Sequence, residues 1–272
     1  MSYSDNANLR ALQERCKTDL KFLITKVMQM PRWNDSLHGE AQRIIEGPGD
    51  RKLLLLPRGH QKSTIFSVGW TIQQLLKDPD IRVKIISGTW PLAKDLLHQI
   101  KGVLEQSALP EIFGPFLTPK CRWTTDAIDI SQRTKWLKDP TISTGGIDTG
   151  KTGGHCDTLI FEDIVTPENT TTPEQIRKVI DGYQACLPLL DPGGKLLMIG
   201  TRYAMSDVYG YIIENESRSI NGIPLETEQQ RKEWRKVYAK SQGEETATVG
   251  TILTSAGSTG ESGLPSAQGP LQ

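Results

Sequence analysis

The spacing of apolar positions changes period along the chain. Leu9, Leu12, Cys16, Leu20, Leu23, Ile24 and Val27 recur at mixed helical spacing, which predicts an amphipathic helix over 7–30, stopped by Pro31. A second short helix is predicted over 36–46 and ended by GPGD. Short apolar runs follow: KLLLL (52–56), RVKIIS (82–87), DTLIFE (157–162) and KLLMI (195–199). Their length and continuous hydrophobicity suit strands buried on both faces. Between them, 62–77, 91–106, 173–190 and 206–216 show helical spacing. The first of these stops at DPD. Pro91 and Pro173 sit in favoured first-turn positions, and Thr172 and Ser206 are the expected caps. Short strands are predicted within 127–144.

Strands separated by helices of this length imply an α/β fold, a mostly parallel sheet with helices on both faces. Ligands in such sheets bind at the carboxyl ends of the strands. The unusual residues of this sequence follow residue 56, stand at 162–163, and stand at 200–202.

Composition narrows the picture. The 272 residues suffice for one large domain, or one domain and a smaller appendage. Lys+Arg and Asp+Glu balance at 32 each, so the totals carry no basic nucleic-acid footprint, although a local basic patch is compatible with them. Residues 1–30 are charged throughout and do not read as a secretory signal, and no apolar run reaches membrane-spanning length, so no membrane association is expected. Cys16, Cys121, Cys156 and Cys186 are scattered, and His38, His60, His98 and His155 show no metal-ligand spacing, which argues against zinc and for a reducing compartment. After Lys240 there is no lysine or arginine, and Gly, Ser and Thr dominate. A disordered tail is expected over 241–272.

Three stretches carry candidate chemistry. The first is LLLLPRGHQKST (53–64), at the junction of a strand and a helix. The usual phosphate loop is G-x-x-x-x-G-K-[ST]. Here Leu56 and Gln61 occupy the glycine positions. Backbone N–H groups at Gly59, His60 and Gln61 and the helix N-terminus can still face an anion. Lys62 can reach the β- and γ-phosphates, Ser63 can hold Mg²⁺, and Arg58 offers a second cation. The plainer alternative is a solvated basic turn leading into an ordinary helix. The second stretch is the strand end DTLIFED, with Glu162 and Asp163 side by side. One carboxylate can bond Mg²⁺ and the other can orient or deprotonate water; the alternative is two acids opening a loop. The glycine-rich segment 143–157 upstream reads as a long loop, for a ligand or merely on the surface. The third is LLMIGTRY (196–203), where Thr201 can sense a phosphate and Arg202 can pass that on, or the strand simply ends in a polar turn.

Taken together, LLLLPRGHQKST, TGGHCDTLIFEDIV and LLMIGTRY, in this order and spacing, resemble the large terminase subunit of tailed bacteriophages over about residues 35–216. The resemblance implies a P-loop NTPase-type fold and an ATPase that drives double-stranded DNA into a capsid, with ATP and Mg²⁺ as its ligands. It places Arg58, Lys62, Ser63 and Thr64 in the phosphate loop. Glu162 takes the metal-side carboxylate and Asp163 the catalytic place. Gly200, Thr201 and Arg202 fall in the coupling segment. An adenine contact is implied before the loop, and Gln42 is a candidate for it, although an ordinary helix-surface glutamine is the stronger alternative. A homo-oligomeric ring, a portal protein, a small terminase subunit and the cytoplasm of an infected bacterium are the implied partners and place. The implied organisation is an N-terminal helical segment (1–34), a P-loop ATPase motor domain (35–240) and the tail. Glu244 and Glu245 make no nuclease centre, so the second, nuclease domain of such subunits is not expected here. The rival readings are another P-loop NTPase, helicase-like or kinase-like, and a non-catalytic assembly protein with a degenerate nucleotide site.

Overall fold

In the computed structural model, residues 3–30, 32–149, 153–204 and 206–216 are described, with the backbone of 219–220 and 223–224. Pro31, the expected tail at 241–272, and Glu244 and Glu245 lie outside the described residues. Six strands form one sheet: β1 (Arg51–Leu55), β2 (Val83–Ser87), β3 (Ala127–Ile128), β4 (Ile142–Gly146), β5 (Cys156–Glu162) and β6 (Leu190–Gly200). Their order is β1-β6-β5-β2-β4-β3, parallel throughout except for the β3–β4 edge pair. The expected mostly parallel sheet is what the chain forms.

The strands read as uniformly apolar because both faces are covered. Leu54, Ile85, Ile160, Leu197 and Ile199 face one core, which also takes Leu20, Ile24, Phe66 and Ile72. Their neighbours Leu53, Leu55, Ile86, Leu159, Phe161 and Met198 face the other, with Val179, Tyr183 and Ile212. This alternation is the period-2 geometry of a strand. Each fully buried Leu or Ile contributes roughly 1.5–3 kcal/mol. Helices α4 (Thr71–Lys77) and α5 (Trp90–Gln106) cover the first face, and α7 (Pro173–Cys186) and α8 (Val208–Asn215) the second.

Several element bounds differ from the sequence reading. The helix expected over 7–30 is broken: α1 (Tyr3–Thr18) ends, and Asp19 accepts the Phe22 N–H at 2.8 Å to start α2 (Leu20–Phe22), which runs on in π-type turns over Leu23–Val27. An aspartate there caps a new start more effectively than it continues a helix. Helix α7 stops at Cys186 in a 3-10 turn over Leu187–Leu189 that contains Pro188, short of the expected residue 190. Thr172 caps it in a reciprocal capping box with Gln175. Strand β6 begins at Leu190, because the apparent breakers Pro192, Gly193 and Gly194 are accommodated, Gly193 at φ 80°. Part of the glycine-rich loop expected over 143–157 is strand: Ser143–Gly146 belong to β4, Cys156 and Asp157 to β5, and residues 150–152 are outside the description. Asp207, not Ser206, caps α8, accepting the Gly210 N–H at 2.9 Å. Two short helices, α3 (His38–Glu46) and α6 (Leu109–Phe113), complete the fold.

Register places the site. Leu55 pairs with Gly200, Ile199 with Glu162, Glu162 with Ser87, and Ser87 with Gly146. The ends of β1, β5 and β6, the first separated from the other two by more than a hundred residues of chain, are therefore level on one sheet edge. The strand bearing Thr201 lies between those bearing the lysine loop and the acidic pair.

Candidate nucleotide site

The loop leaves β1 at Leu56, whose N–H donates to the Gly200 carbonyl at 3.0 Å. It turns through Gly59 at φ 81° and Gln61 at φ 55° before the helix begins. Gln61, where the usual pattern has glycine, thus adopts the left-handed conformation that glycine takes most easily. The cost for a side-chain-bearing residue is about 1–2 kcal/mol. Part of the compensation comes from α3. The His38 Nδ1 accepts the Asn34 N–H at 2.9 Å, so its Nε2–H is left to donate to the His60 carbonyl at 2.9 Å. His38 is buried between the Trp33 and Phe66 rings, and that burial lowers its pKa and keeps it neutral.

Lys62 opens the helix and is buried, and its Nζ lies 2.9 Å from Asp163 Oδ2. Beyond it, Ser63–Trp70 wind in π-type turns. The hydroxyls of Ser63 and Ser67, four residues apart on one face, donate to the two oxygens of Glu162. Glu162 is buried at the end of β5. Burial, and then the neighbouring Asp163 charge, pushes its carboxyl up to about 7 against the opposing pull of Ser63, Ser67 and Lys62. Asp163 takes a left-handed turn at φ 43°, which swings it to the same edge as its neighbour instead of the opposite sheet face. Its Oδ1 accepts the Thr201 N–H at 3.0 Å, and Thr201 Oγ1 donates to the Leu56 carbonyl at 3.2 Å.

The structure thus brings Lys62, Ser63, Glu162, Asp163 and Thr201 together. The other candidates stand apart. Arg58 is exposed, its guanidinium 5.4 Å from the Tyr203 ring centroid. The Arg202 Nε donates to the Ala204 carbonyl at 3.1 Å and lies 3.9 Å from Asp207 Oδ1, so it braces the turn into α8. Gly200 is needed for packing, since a Cβ there would overlap the buried Tyr209 ring. Thr64 is half-buried in the first turn of its helix. The amide of Gln42, on α3, donates to Glu46 at 3.2 Å. His38 and Ser67 are site residues that the sequence reading did not single out. Ser67 carried a signal, a hydroxyl one helical turn beyond Ser63; His38 carried none, because its partner is a backbone carbonyl.

Chemically, the site joins a buried ammonium, a hydroxyl–carboxylate pair of hard oxygen donors, and a second, partly exposed carboxylate. The donor set of Ser63 and Glu162 fits Mg²⁺. The parallel sheet, the strand–loop–helix with its lysine, and the level acidic strand end are arranged as in a P-loop NTPase-type fold. No family model matches the chain. Direct comparison finds it 24% identical over 199 residues to the large terminase subunit of Enterobacteria phage T3, covering 71% of this chain and 33% of that protein. The likeness to large terminase subunits, drawn above from three motifs, is shown by this match, and the chain spans about a third of that relative's length. Among solved structures, the ATPase domain of the Thermus phage P74-26 large terminase aligns at 13% identity and TM-score 0.41, covering 75% of this chain and 86% of that one. A point mutant of the same domain aligns at 19% and 0.43, covering 62% and 66%. The fold assignment rests on strand order and register instead.

Proposed function

We propose that the chain is the ATP-hydrolysing motor part of a phage terminase large subunit, acting on double-stranded DNA as a ring at the portal, with a small terminase subunit, in the cytoplasm of an infected bacterium. The observation that carries this reading is the junction at the sheet edge, where one carboxylate, Asp163, holds the loop lysine on one oxygen and the Thr201 N–H on the other.

In this reading Lys62 exchanges Asp163 for the phosphates of ATP. Ser63 and Glu162 hold Mg²⁺, which when bound neutralises charge on the phosphates. Asp163, released from the lysine, orients and deprotonates the attacking water. Glu162, buried and engaged by two hydroxyls, suits the metal side, and the more exposed Asp163 suits the water side. The bond from Asp163 to Thr201 N–H gives the strand end of β6, and through it α8, a direct link to the state of the nucleotide. DNA contacts to phosphate would be sequence-independent and salt-sensitive.

The test is a thermal-shift titration with ATP and Mg²⁺ on the parent chain and Lys62→Ala. At a hundred times its Kd the ligand should add about 2.7 kcal/mol to the parent and nothing to the variant. A response in neither chain would favour the non-catalytic alternative. Stimulation of hydrolysis by duplex DNA then separates a motor from a small-molecule kinase.

A further inference from the structure

The two ends of β4 carry features that the nucleotide chemistry does not use. Before the strand, the loop 131–140 presents Trp136 fully to solvent, flanked by the exposed Lys135 and Lys138. This loop is held in place. One carboxylate, Asp80, accepts the Thr134 N–H at 2.8 Å, the Thr134 hydroxyl at 2.6 Å and the Lys135 N–H at 2.8 Å. Behind it Arg133 donates to Asp129 and to the Asp139 carbonyl, both at 2.7 Å. A pinned loop leaves its exposed tryptophan little backbone freedom to lose on burial, which favours it as a binding anchor.

Past the other end of β4 lies a pocket of about 420 Å³, lined by Leu92, Ile147 and Val179 among others. Leu92 is 45% exposed, unusually open for a large apolar side chain. Asp148 and Glu168 also line the pocket, together with Lys178, which leaves its charged lining net negative by one. The volume accommodates an indole, and the acids match the two lysines beside Trp136. Five strand residues, roughly 15 Å, separate the two features along β4. They therefore sit at opposite ends of the sheet and cannot meet within one chain.

We propose that Trp136 and its flanking lysines insert into this pocket on a second copy of the chain. The contact is heterologous, one surface on each partner, so it propagates head to tail and closes into a ring when the rotation allows. The pocket adjoins the nucleotide site. Gly88, in its lining, packs so tightly on the turn after β5 that a Cβ there would lie 2.9 Å from the Asp163 carbonyl. An occupied pocket thus bears on the backbone that carries Asp163. Only the closure of the ring rests on the terminase reading; the contact itself stands on these two surfaces.

Sedimentation velocity on the full chain over a range of concentrations tests this. The parent should self-associate, and Trp136→Ala should weaken association at least about 30-fold. Leu92→Asp, made in the pocket, should do the same. Each variant keeps one intact surface, so an equimolar mixture should form dimers that grow no further. Lys135→Glu with Lys138→Glu should weaken association, and Asp148→Lys with Glu168→Lys in the partner should restore it. A parent that stays monomeric, or association unchanged by Trp136→Ala, overturns the proposal. So does a Trp136→Ala chain that loses only duplex-DNA affinity. Melting temperature reports folding of each variant, and the ATP titration above is read on the same samples, so failure of the contact and failure of the nucleotide reading remain distinct.

Discussion

Lys62 and Asp163 form a 2.9 Å ion pair across two strand ends that lie about a hundred residues apart in sequence, and the second oxygen of that aspartate accepts the Thr201 N–H at 3.0 Å. A single carboxylate thereby ties the loop after β1, the turn after β5 and the end of β6. The lysine is nearly buried, so it needs a negative partner. A nucleotide phosphate can supply the same charge, and the proposed function uses that exchange of Asp163 for phosphate.

Replacing Asp163 with Asn should separate binding from chemistry. The amide oxygen can still accept the Thr201 N–H, while the negative charge and the proton acceptor are lost. Steady-state phosphate release should fall at least about 100-fold, with the ATP-induced thermal shift retained. Hydrolysis at the parent rate would remove Asp163 from the catalytic place.

Ser67 supports Glu162 from within the helix. Ser67→Ala should weaken Mg²⁺-dependent nucleotide binding about 10-fold, the typical effect of losing a group that orients a metal ligand. Ser67→Thr keeps the hydroxyl and should restore binding. Isothermal titration with and without Mg²⁺ distinguishes a lost metal contact from general destabilisation.

The left-handed Gln61 predicts an ordering of substitutions. Gln61→Gly relieves backbone strain but adds freedom to the unfolded chain, so stability should change by less than about 1 kcal/mol. Gln61→Val places a β-branched residue at φ 55° and should cost more, with loss of the ATP-induced shift. Denaturant midpoints check both.

His38 gives the loop a pH dependence of defined sign. Burial depresses its folded-state pKa below 6.5, so the unfolded chain takes up the proton first. The stability that neutral His38 provides is complete above pH 6.5 and is lost as pH falls through that value towards the folded pKa. Protonation also removes the Nδ1 acceptor for the Asn34 N–H. His38→Phe should be less stable at pH 8 and should lose less on acidification than the parent. Parallel stability curves from pH 8 to 5 would exclude this role.

Gly200→Ala should destabilise the fold by about 1–3 kcal/mol, because the added methyl overlaps the fully buried Tyr209 ring. Thermal unfolding measures it.

What the sequence determined by itself was local. Runs such as LLLLP and DTLIFE announce strands because residues buried on both faces must all be apolar, and the loop, the acidic pair and GTR announce strand ends. Thr172 was legible as a cap because capping acts over three residues. Tertiary structure decided the rest. Strand order and register, not spacing, place Lys62 on Asp163 and Ser63 with Ser67 on Glu162. Arg202 turns towards Asp207, which takes the cap expected of Ser206. The brace from His38 to the His60 carbonyl is invisible in sequence because its acceptor is backbone, which every residue possesses. The glycine-like turn at Gln61 is hidden for a related reason. Left-handed backbone is cheap only for glycine, so any other residue holds it only where surrounding contacts enforce it, and those contacts exist only in the folded chain.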